Sequence, residues 1–328
     1  MLSFFFDGLY VRFIDLLLGF AILIKGADFL IGGASSLAKR NGISNLAIGL
    51  TVVAFGTSMP ELIVSLMSAV KGKSDAAFGN VMGSNNFNLL FILGACGLIY
   101  PLIVQRNTVK FEVPISLFAA AILYVLVNDT LLWGSAANTL SRQDSIILLI
   151  CFGGFLLYIF RTMKKAAEFT TPDDIKLHPT GISLLLVVAG MGMLAGGGSV
   201  AVTSATEIAA YFGLSEKLIG LTILAVGTSL PELATSAMAA FKKNTDIAIG
   251  NVIGSNIFNL LFILGVTGVI NPMAYNPHLN FDLTIVLIAT LVLMIFMFTI
   301  NRRKLDRFEA FLLFFSYIAY SIYLISAE

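Results

Sequence analysis

Ten apolar runs occupy almost the whole chain, and each is long enough to form a membrane-spanning helix. The hydrocarbon core of a bilayer needs roughly 20 apolar residues per helix. Charged residues make up only 12% of the chain and hydrophobic residues 58%, whereas soluble proteins are about 25% charged. The sequence therefore predicts an all-α polytopic membrane protein with ten transmembrane helices. Their expected positions are about 9–38, 43–70, 76–101, 111–128, 144–162, 180–211, 216–241, 247–270, 281–300 and 307–326.

Basic residues predict how these helices are oriented. The loops after odd-numbered spans carry 14 Lys and Arg residues, and the loops after even-numbered spans carry 4. Because cytoplasmic loops are enriched in Lys and Arg, we expect the odd loops in the cytoplasm and both termini outside. We expect the N-terminal apolar stretch to be the first span and not a signal peptide, since no basic segment precedes it. We expect the protein in the plasma (inner) membrane.

A long internal repeat divides the chain into halves. Residues 49–94 and 220–265 align without gaps and are identical at 30 of 46 positions. Each copy contains Gly-Thr-Ser-x-Pro-Glu and then Gly-Asn-Val-x-Gly-Ser-Asn-x-x-Asn. With five spans in each half, the second half enters the membrane in the opposite sense, so we predict two inverted five-helix repeats. The expected boundaries are 1–162, a cytoplasmic linker at 163–179, and 180–328.

The first repeated motif places a carboxylate deep in each half. Glu61 and Glu232 lie well inside their spans, where even a lenient scale assigns a charged side chain a cost of about 2.5–3.5 kcal/mol. Pro60 and Pro231 lack an amide hydrogen, so a carbonyl one turn earlier loses its donor. A bound cation would satisfy such a carbonyl, which is otherwise costly in lipid.

Further oxygen-bearing side chains accompany each glutamate at helical spacing. Carboxylate, hydroxyl, amide and carbonyl oxygens together suit a hard cation, and Ca²⁺ takes six to eight such ligands. One motif alone is explained equally well by a helix kink with Ser and Thr bonded to a neighbouring helix. Its repetition favours a cation site. The neutral candidates are Thr57, Ser58, Ser65, Ser84 and Asn88, with the equivalents Thr228, Ser229, Ser236, Ser255 and Asn259.

Other polar and small residues in the spans have simpler explanations. Asp15 and Asp28 either line an access path or form local ion pairs, and Lys25 lies near both. Cys96 and Cys151 lie in apolar runs and are interpreted as small buried hydrophobic residues. The glycines of the first and sixth spans indicate close packing or helices that slide. Three further acids lie toward span ends and are expected at the membrane interface: Glu112, Glu207 and Asp282.

The doubled motifs resemble those of the calcium/cation antiporter superfamily, within it the sodium/calcium exchanger branch of prokaryotic type. The resemblance covers essentially the whole chain. The Gly-Asn-Ala-x-Glu-His segment typical of the proton/calcium branch is absent from the sequence. Members of the family are antiporters with two five-helix halves, in which the first and sixth spans slide against the other eight helices.

The resemblance also implies roles for particular residues. Glu61 and Glu232 would be carboxylates shared by Ca²⁺ and Na⁺. Some relatives have Asp at the second of two central positions, whereas this chain has Asn at both, which removes one acid. The remaining implied ligands are the backbone carbonyls of Thr57 and Thr228 for Ca²⁺; Ser58, Ser84, Ser229 and Ser255 with the carbonyls of Ala54 and Ala225 for flanking Na⁺ sites; and Asn88 and Asn259 in the middle.

These observations lead to the hypothesis of Na⁺/Ca²⁺ antiport by alternating access, with the ions competing for oxygens between Glu61 and Glu232. The alternatives are a H⁺/Ca²⁺ or K⁺-dependent exchanger and, from another class, a passive cation channel. An enzyme is not expected, since no HExxH motif, paired membrane aspartates or depth-matched Ser/His pair is present. We expect no resident cofactor, the ions and the lipid bilayer as partners, and, from a net charge of +1, no nucleic acid.

Overall fold

A computed structural model describes residues 2–162, 177–213, 225–298 and 303–326, most of which are helical. Four two-residue strands form two antiparallel pairs, and each pair joins a loop of the first half to a loop of the second: β1 (Leu102–Ile103) with β4 (Lys304–Leu305), and β2 (Thr139–Leu140) with β3 (Met273–Ala274). The helices are α1 (Leu2–Asn41), α2 (Asn45–Thr57), α3 (Met59–Val70), α4 (Ser74–Ile99), α5 (Thr108–Val127), α6 (Asp129–Trp133), α7 (Arg142–Thr162), α8 (Thr180–Tyr211), α9 (Ala225–Gly227), α10 (Leu230–Phe241), α11 (Thr245–Ile270), α12 (Asn280–Phe296) and α13 (Arg307–Ser326).

Within the described residues, seven helices are long and apolar enough to cross a membrane, and the bent pair α2 and α3 makes an eighth. The fold is thus a helical membrane fold, while ten spans in two inverted repeats remain a prediction. The other two predicted spans correspond to α1, which is 40 residues long, and to 216–241, of which 216–224 lie outside the described residues. Most of the predicted linker, 163–176, lies outside them as well.

The repeated Pro-Glu step breaks a helix in each half. The axis bends by 47° between α2 and α3, and the residue at the break, Ser58, has φ −84° and ψ 7°. Pro60 then lies in the first turn of α3, where its missing amide hydrogen costs no helical hydrogen bond. Pro231 has the same place in α10 after the break at Ser229. The proline therefore starts a new helix at the glutamate.

Helices α4 and α11 form the centre of the fold. Their most apolar stretches are 72% and 78% buried within the protein, against 17% to 39% for the five other long apolar helices. Each contains the same six residues, Phe-Asn-Leu-Leu-Phe-Ile, as a π-helical segment, Phe87–Ile92 and Phe258–Ile263. Such widened turns are frequent at functional sites, and these two contain Asn88 and Asn259.

Helices α1 and α8 pack antiparallel with their backbones in close contact. A Cβ added at Gly190 would lie 2.6 Å from the backbone nitrogen of Leu30 and 2.8 Å from the carbonyl oxygen of Gly26. At Gly33 it would lie 2.6 Å from the carbonyl oxygen of Ser183, and at Gly197 it would lie 2.9 Å from that of Gly19. The glycines therefore permit close packing, as predicted. Sliding remains a prediction.

Candidate ion-binding site

Two buried glutamates lie in the first turns of matching helices. Glu61 belongs to α3 and Glu232 to α10, and they are 0% and 1% exposed. A serine of the opposite half donates to each carboxylate: Ser229 Oγ to Glu61 Oε1 at 3.0 Å, and Ser58 Oγ to Glu232 Oε1 at 2.9 Å. The halves therefore build one common site.

Two more predicted serines complete this arrangement from within the same half. Ser84 Oγ donates to Glu61 Oε1 and Ser255 Oγ to Glu232 Oε1, each at 3.4 Å. Ser84 also lies 2.9 Å, between hydroxyl oxygens, from Ser229. Each glutamate thus has one carboxylate oxygen held by hydroxyl groups.

Four buried oxygen atoms at the site have no hydrogen-bond partner among the described residues. They are Oε2 of Glu61 and Glu232 and Oδ1 of Asn88 and Asn259. Buried polar atoms are normally paired, because burial without a partner costs a few kcal/mol or more. All four atoms are acceptors, and they occur as two equivalent pairs from the two halves. A bound cation would satisfy such a set.

The predicted threonines bond to asparagines of the opposite half. Thr57 Oγ1 donates to Asn251 Oδ1 at 3.1 Å, and Thr228 Oγ1 donates to Asn80 Oδ1 at 3.3 Å. Asn80 Nδ2 in turn donates to the carbonyl oxygen of Glu61 at 3.2 Å, and the equivalent bond to Glu232 measures 3.4 Å. Each asparagine therefore links the backbone carbonyl of the glutamate in its own half to a threonine of the opposite half.

Ser65 and Ser236 share the helical face of the glutamates, but asparagines occupy their hydroxyl groups. Asn80 Nδ2 donates to Ser65 Oγ and Asn251 Nδ2 donates to Ser236 Oγ, both at 2.9 Å. The two serines therefore support Asn80 and Asn251. They are not among the residues with unpaired oxygens.

Besides the backbone carbonyls of Thr57 and Thr228, those of Ala54 and Ala225 were predicted as ligands. The carbonyl oxygen of Ala54 accepts a bond from the Ser58 amide at 3.0 Å. Thr57 Oγ1 lies 3.3 Å from it, but the single hydrogen of that hydroxyl is donated to Asn251 Oδ1 at 3.1 Å, so one lone pair of the carbonyl remains available. Ala225 is the first residue of the short helix α9, and the segment before it lies outside the described residues.

Four asparagines with roles at the site were not predicted as site residues: Asn80, Asn85, Asn251 and Asn256. Asn85 and Asn256 contact the predicted Asn259 and Asn88, each across the boundary between the halves. The signal was present in the sequence, since all four lie in the repeated segments. Asn85 precedes Asn88 by three residues, which places both on one helix face.

The weaker acidic candidates lie outside this site. Asp28 pairs with Lys25, at 3.3 Å, and with Lys242, so the ion-pair interpretation is confirmed. Asp15 lies 3.7 Å from Arg12, which also pairs with Glu207 of α8.

Glu112 differs from the interfacial expectation. It is only 2% exposed, and it accepts a 2.5 Å bond from the Tyr158 hydroxyl. Its helix α5 packs this face against α7, which is why the side chain does not reach the interface. In the part of the chain that the structure describes, no group of three or more His, Cys, Asp or Glu residues is arranged to hold a metal ion.

Comparisons with known proteins agree with this architecture. A family model described as "Sodium/calcium exchanger protein" matches residues 12–161 and 182–326, which is most of both halves. The chain belongs to the sodium/calcium exchanger family. It is 36% identical to the putative antiporter CaxA of Alkalimonas amylolytica, over 97% of this chain and 99% of CaxA. It is 34% identical to the inner membrane protein YrbG of Escherichia coli, over 84% and 86% of the two chains.

A solved structure of an exchanger has the same fold. The sodium-calcium exchanger NCX_Mj, from a crystal soaked with zero Na⁺ and Ca²⁺, superposes with a TM-score of 0.82 and 28% sequence identity. The match covers 96% of this chain and 99% of NCX_Mj. Membership of the sodium/calcium exchanger family supports cation/Ca²⁺ antiport, and so a transporter and not an enzyme.

Proposed function

We propose that this protein exchanges Na⁺ for Ca²⁺ by alternating access, at a site formed between Glu61 and Glu232. The observation that carries this proposal is the set of four buried oxygens without partners, two from carboxylates and two from amides. No lysine or arginine is among the side chains bonded to the two glutamates in the described residues. A pair of buried, unneutralised carboxylates in a membrane protein calls for a cation.

In the proposed site, Ca²⁺ lies between the two glutamates with the backbone carbonyls of Thr57 and Thr228. The central amides of Asn88 and Asn259 contribute neutral oxygens between the flanking positions. The Ala54 carbonyl keeps one lone pair for an ion, since the Ser58 amide uses the other and the Thr57 hydroxyl donates to Asn251. The Na⁺ ligands are Ser58, Ser84, Ser229, Ser255 and the carbonyls of Ala54 and Ala225.

The charge of the site explains why one ion type replaces the other. Two ionised glutamates give a charge of −2, which one Ca²⁺ or two Na⁺ neutralise, and the central asparagines add nothing. An unoccupied site leaves two like charges close together in a medium of low dielectric constant, where their repulsion is strong. A change of access is then favourable only with ions bound, because a ligand shifts a conformational equilibrium through its differential affinity.

The proposed architecture places this site near the middle of the bilayer. Ten spans form two inverted halves, 1–162 and 180–328, joined by a cytoplasmic segment at 163–179, with both termini outside the plasma membrane. Inverted-repeat transporters bind their ions where interrupted helices of the two halves meet, and the breaks at Ser58 and Ser229 supply such helices. Helices α1 and α8 would slide against the remainder to change access.

Transport into reconstituted vesicles tests the function. Vesicles loaded with Na⁺ should accumulate ⁴⁵Ca²⁺ when diluted into Na⁺-free medium. We expect Glu61→Gln and Glu232→Gln each to reduce this uptake at least about 100-fold, because each removes one of two charges that neutralise Ca²⁺. Glu112→Gln is the matched control, since it neutralises a buried glutamate bonded to Tyr158 outside the site. Its uptake should stay within about twofold of the unsubstituted protein.

The same vesicles distinguish the alternative functions. Uptake driven by a pH gradient without Na⁺ would indicate a H⁺/Ca²⁺ exchanger, and a requirement for external K⁺ would indicate a K⁺-dependent one. Ca²⁺ flux without any counter-ion gradient, at rates far above the turnover of a transporter, would indicate a channel. Near-normal uptake by both glutamate variants would exclude the proposed site.

A further inference from the structure

Four asparagine side chains form a closed set beside the two glutamates. Asn259 Nδ2 donates to Asn85 Oδ1 at 2.9 Å, and Asn88 Nδ2 donates to Asn256 Oδ1 at 3.0 Å. Asn85 and Asn256 each donate from Nδ2 to the backbone carbonyl oxygen of the other, both at 3.5 Å. All four residues are at most 1% exposed. Every bond joins one half of the chain to the other.

Two backbone carbonyl groups determine which end of each asparagine amide is the oxygen and which is the NH₂ group. A backbone carbonyl only accepts, so the end of the Asn85 amide that faces the Asn256 carbonyl is the NH₂ group. The other end of Asn85 is then an oxygen, which accepts a bond from the NH₂ group of Asn259. The oxygen of Asn259 is left over, and it is the buried atom without a partner. The same sequence of bonds runs from Asn256 to Asn88.

We propose that Asn85 and Asn256 are positioning residues that hold the amides of Asn259 and Asn88 with their oxygens toward the transported cations. This inference rests on the proposed function. Without Asn85, the Asn259 amide is free to turn by 180° and present its NH₂ group, the positive end of its dipole, to the ions. Glutamate and aspartate need no such device, because both terminal atoms of a carboxylate are oxygens. An exchanger with asparagine at both central positions needs residues that hold each amide in one orientation.

Ion binding measured by isothermal titration calorimetry on the purified, detergent-solubilised full-length protein tests the inference. Four proteins are compared: unsubstituted, Asn85→Ala, Asn259→Asp and the double variant. The dissociation constant for Ca²⁺ is measured in Na⁺-free buffer, and that for Na⁺ by competition against Ca²⁺. We expect Asn85→Ala to weaken binding of at least one ion about tenfold or more, the usual size of a lost hydrogen-bond contact to a charged group.

The Asn259→Asp background separates positioning from a general structural role. With an oxygen at either end of residue 259, its orientation no longer matters, so Asn85→Ala should then change both dissociation constants less than about twofold. The same loss in both backgrounds, or unchanged binding in Asn85→Ala alone, would overturn the inference. Asn256→Ala tested with and without Asn88→Asp provides the same comparison in the other half, should Asn85→Ala not fold.

Asn86→Ala is the matched control. Asn86 is the next residue on α4 and is equally buried, but its amide donates to the Asp282 carbonyl at 3.0 Å and to the Tyr320 hydroxyl at 3.3 Å, away from the four asparagines. Its replacement should lower the unfolding temperature without changing either dissociation constant more than about twofold. If the unsubstituted protein binds the ions but shows no Na⁺-driven Ca²⁺ uptake in vesicles, that result would count against the proposed function and leave the positioning role of Asn85 standing. Absence of any ion binding would reject both.

Discussion

At the scale of single residues, the hydroxyl groups that cross between halves are the contacts on which the site depends. Ser229 donates to Glu61 of the other half and also lies within bonding distance of Ser84. A hydrogen bond to a buried charged group contributes about 1.5–3 kcal/mol, more than a bond between neutral groups. Ser229 therefore holds the carboxylate of Glu61, and in the proposed site its hydroxyl oxygen also binds Na⁺.

We predict that Ser229→Ala weakens Ca²⁺ affinity about tenfold, because it removes one hydroxyl group from Glu61 and from the proposed Na⁺ position. Half-saturation of ⁴⁵Ca²⁺ uptake in vesicles measures this. Ser183→Ala is the control, since Ser183 is equally buried and its hydroxyl bonds to Ser36 in the contact between α1 and α8, at 2.9 Å. Equal affinities for Ser229→Ala and Ser183→Ala would contradict the assignment of Ser229.

The sequence was sufficient to predict that the two glutamates and the serines lie together, but it predicted neither the four additional asparagines nor how the side chains bond. Repetition identified Glu61, Glu232 and the serines, because a charged residue in an apolar run has few explanations. Ser65 and Ser236 also fit the helical spacing, yet Asn80 and Asn251 occupy their hydroxyl groups. Helical periodicity gives the face of a side chain, whereas its partner on another helix depends on how the halves pack.

At the scale of helices, two features would permit the proposed movement around the site: the breaks before α3 and α10, and the glycine contact between α1 and α8. The breaks follow from the proline next to each glutamate and were foreseeable. From the sequence, the contact between α1 and α8 could be predicted only as a glycine-rich surface on each helix. The residues that face one another, such as Gly190 and Gly26, depend on the antiparallel register of two helices far apart in sequence.

The glycine contact predicts different results for two equivalent substitutions in α8. Gly190→Ala should lower the unfolding temperature and reduce uptake, because its Cβ would lie 2.6 Å from a backbone nitrogen of α1 and overpacking costs about 1–3 kcal/mol. Gly192 lies two residues from Gly190, about 200° around the helix, and a Cβ there meets no described atom within 4 Å. Gly192→Ala should therefore be neutral or stabilising by about 0.5–1 kcal/mol. The unfolding temperature of both variants is measured by size-exclusion chromatography after heating, and identical melting curves would argue against a tight contact.

At the scale of the whole molecule, the two halves are joined by more than their linker. Strand pairs connect loops of the first half to loops of the second at two places, and the most buried helices, α4 and α11, come one from each half. The number of spans was predicted from apolar runs alone. In the part of the chain that the structure describes, seven helices, or eight with the bent pair, are long and apolar enough to cross a membrane. The count of ten spans and their orientation therefore need a separate measurement.

The proposed inverted arrangement predicts which loops face outward. In a background with Cys96→Ala and Cys151→Ala, a cysteine at Ser135, in the loop after the fourth span, should react with a membrane-impermeant maleimide added to intact cells. A cysteine at Lys243, in the loop after the seventh span, should react only after permeabilisation. Both positions are exposed in the structure, so accessibility in the folded protein does not limit the reaction. The opposite pattern would reverse the orientation, and labelling of both from outside would refute the span count.

The crossed serine bonds have a consequence for the origin of such a chain. Since Ser58 donates to Glu232 and Ser229 donates to Glu61, neither half alone supplies all the hydrogen bonds of its own glutamate. If the proposed inverted arrangement holds, an ancestor with a single half would have needed a second copy, inserted in the opposite sense, to form the proposed cation site. Gene fusion would then have made permanent an association that the site already required.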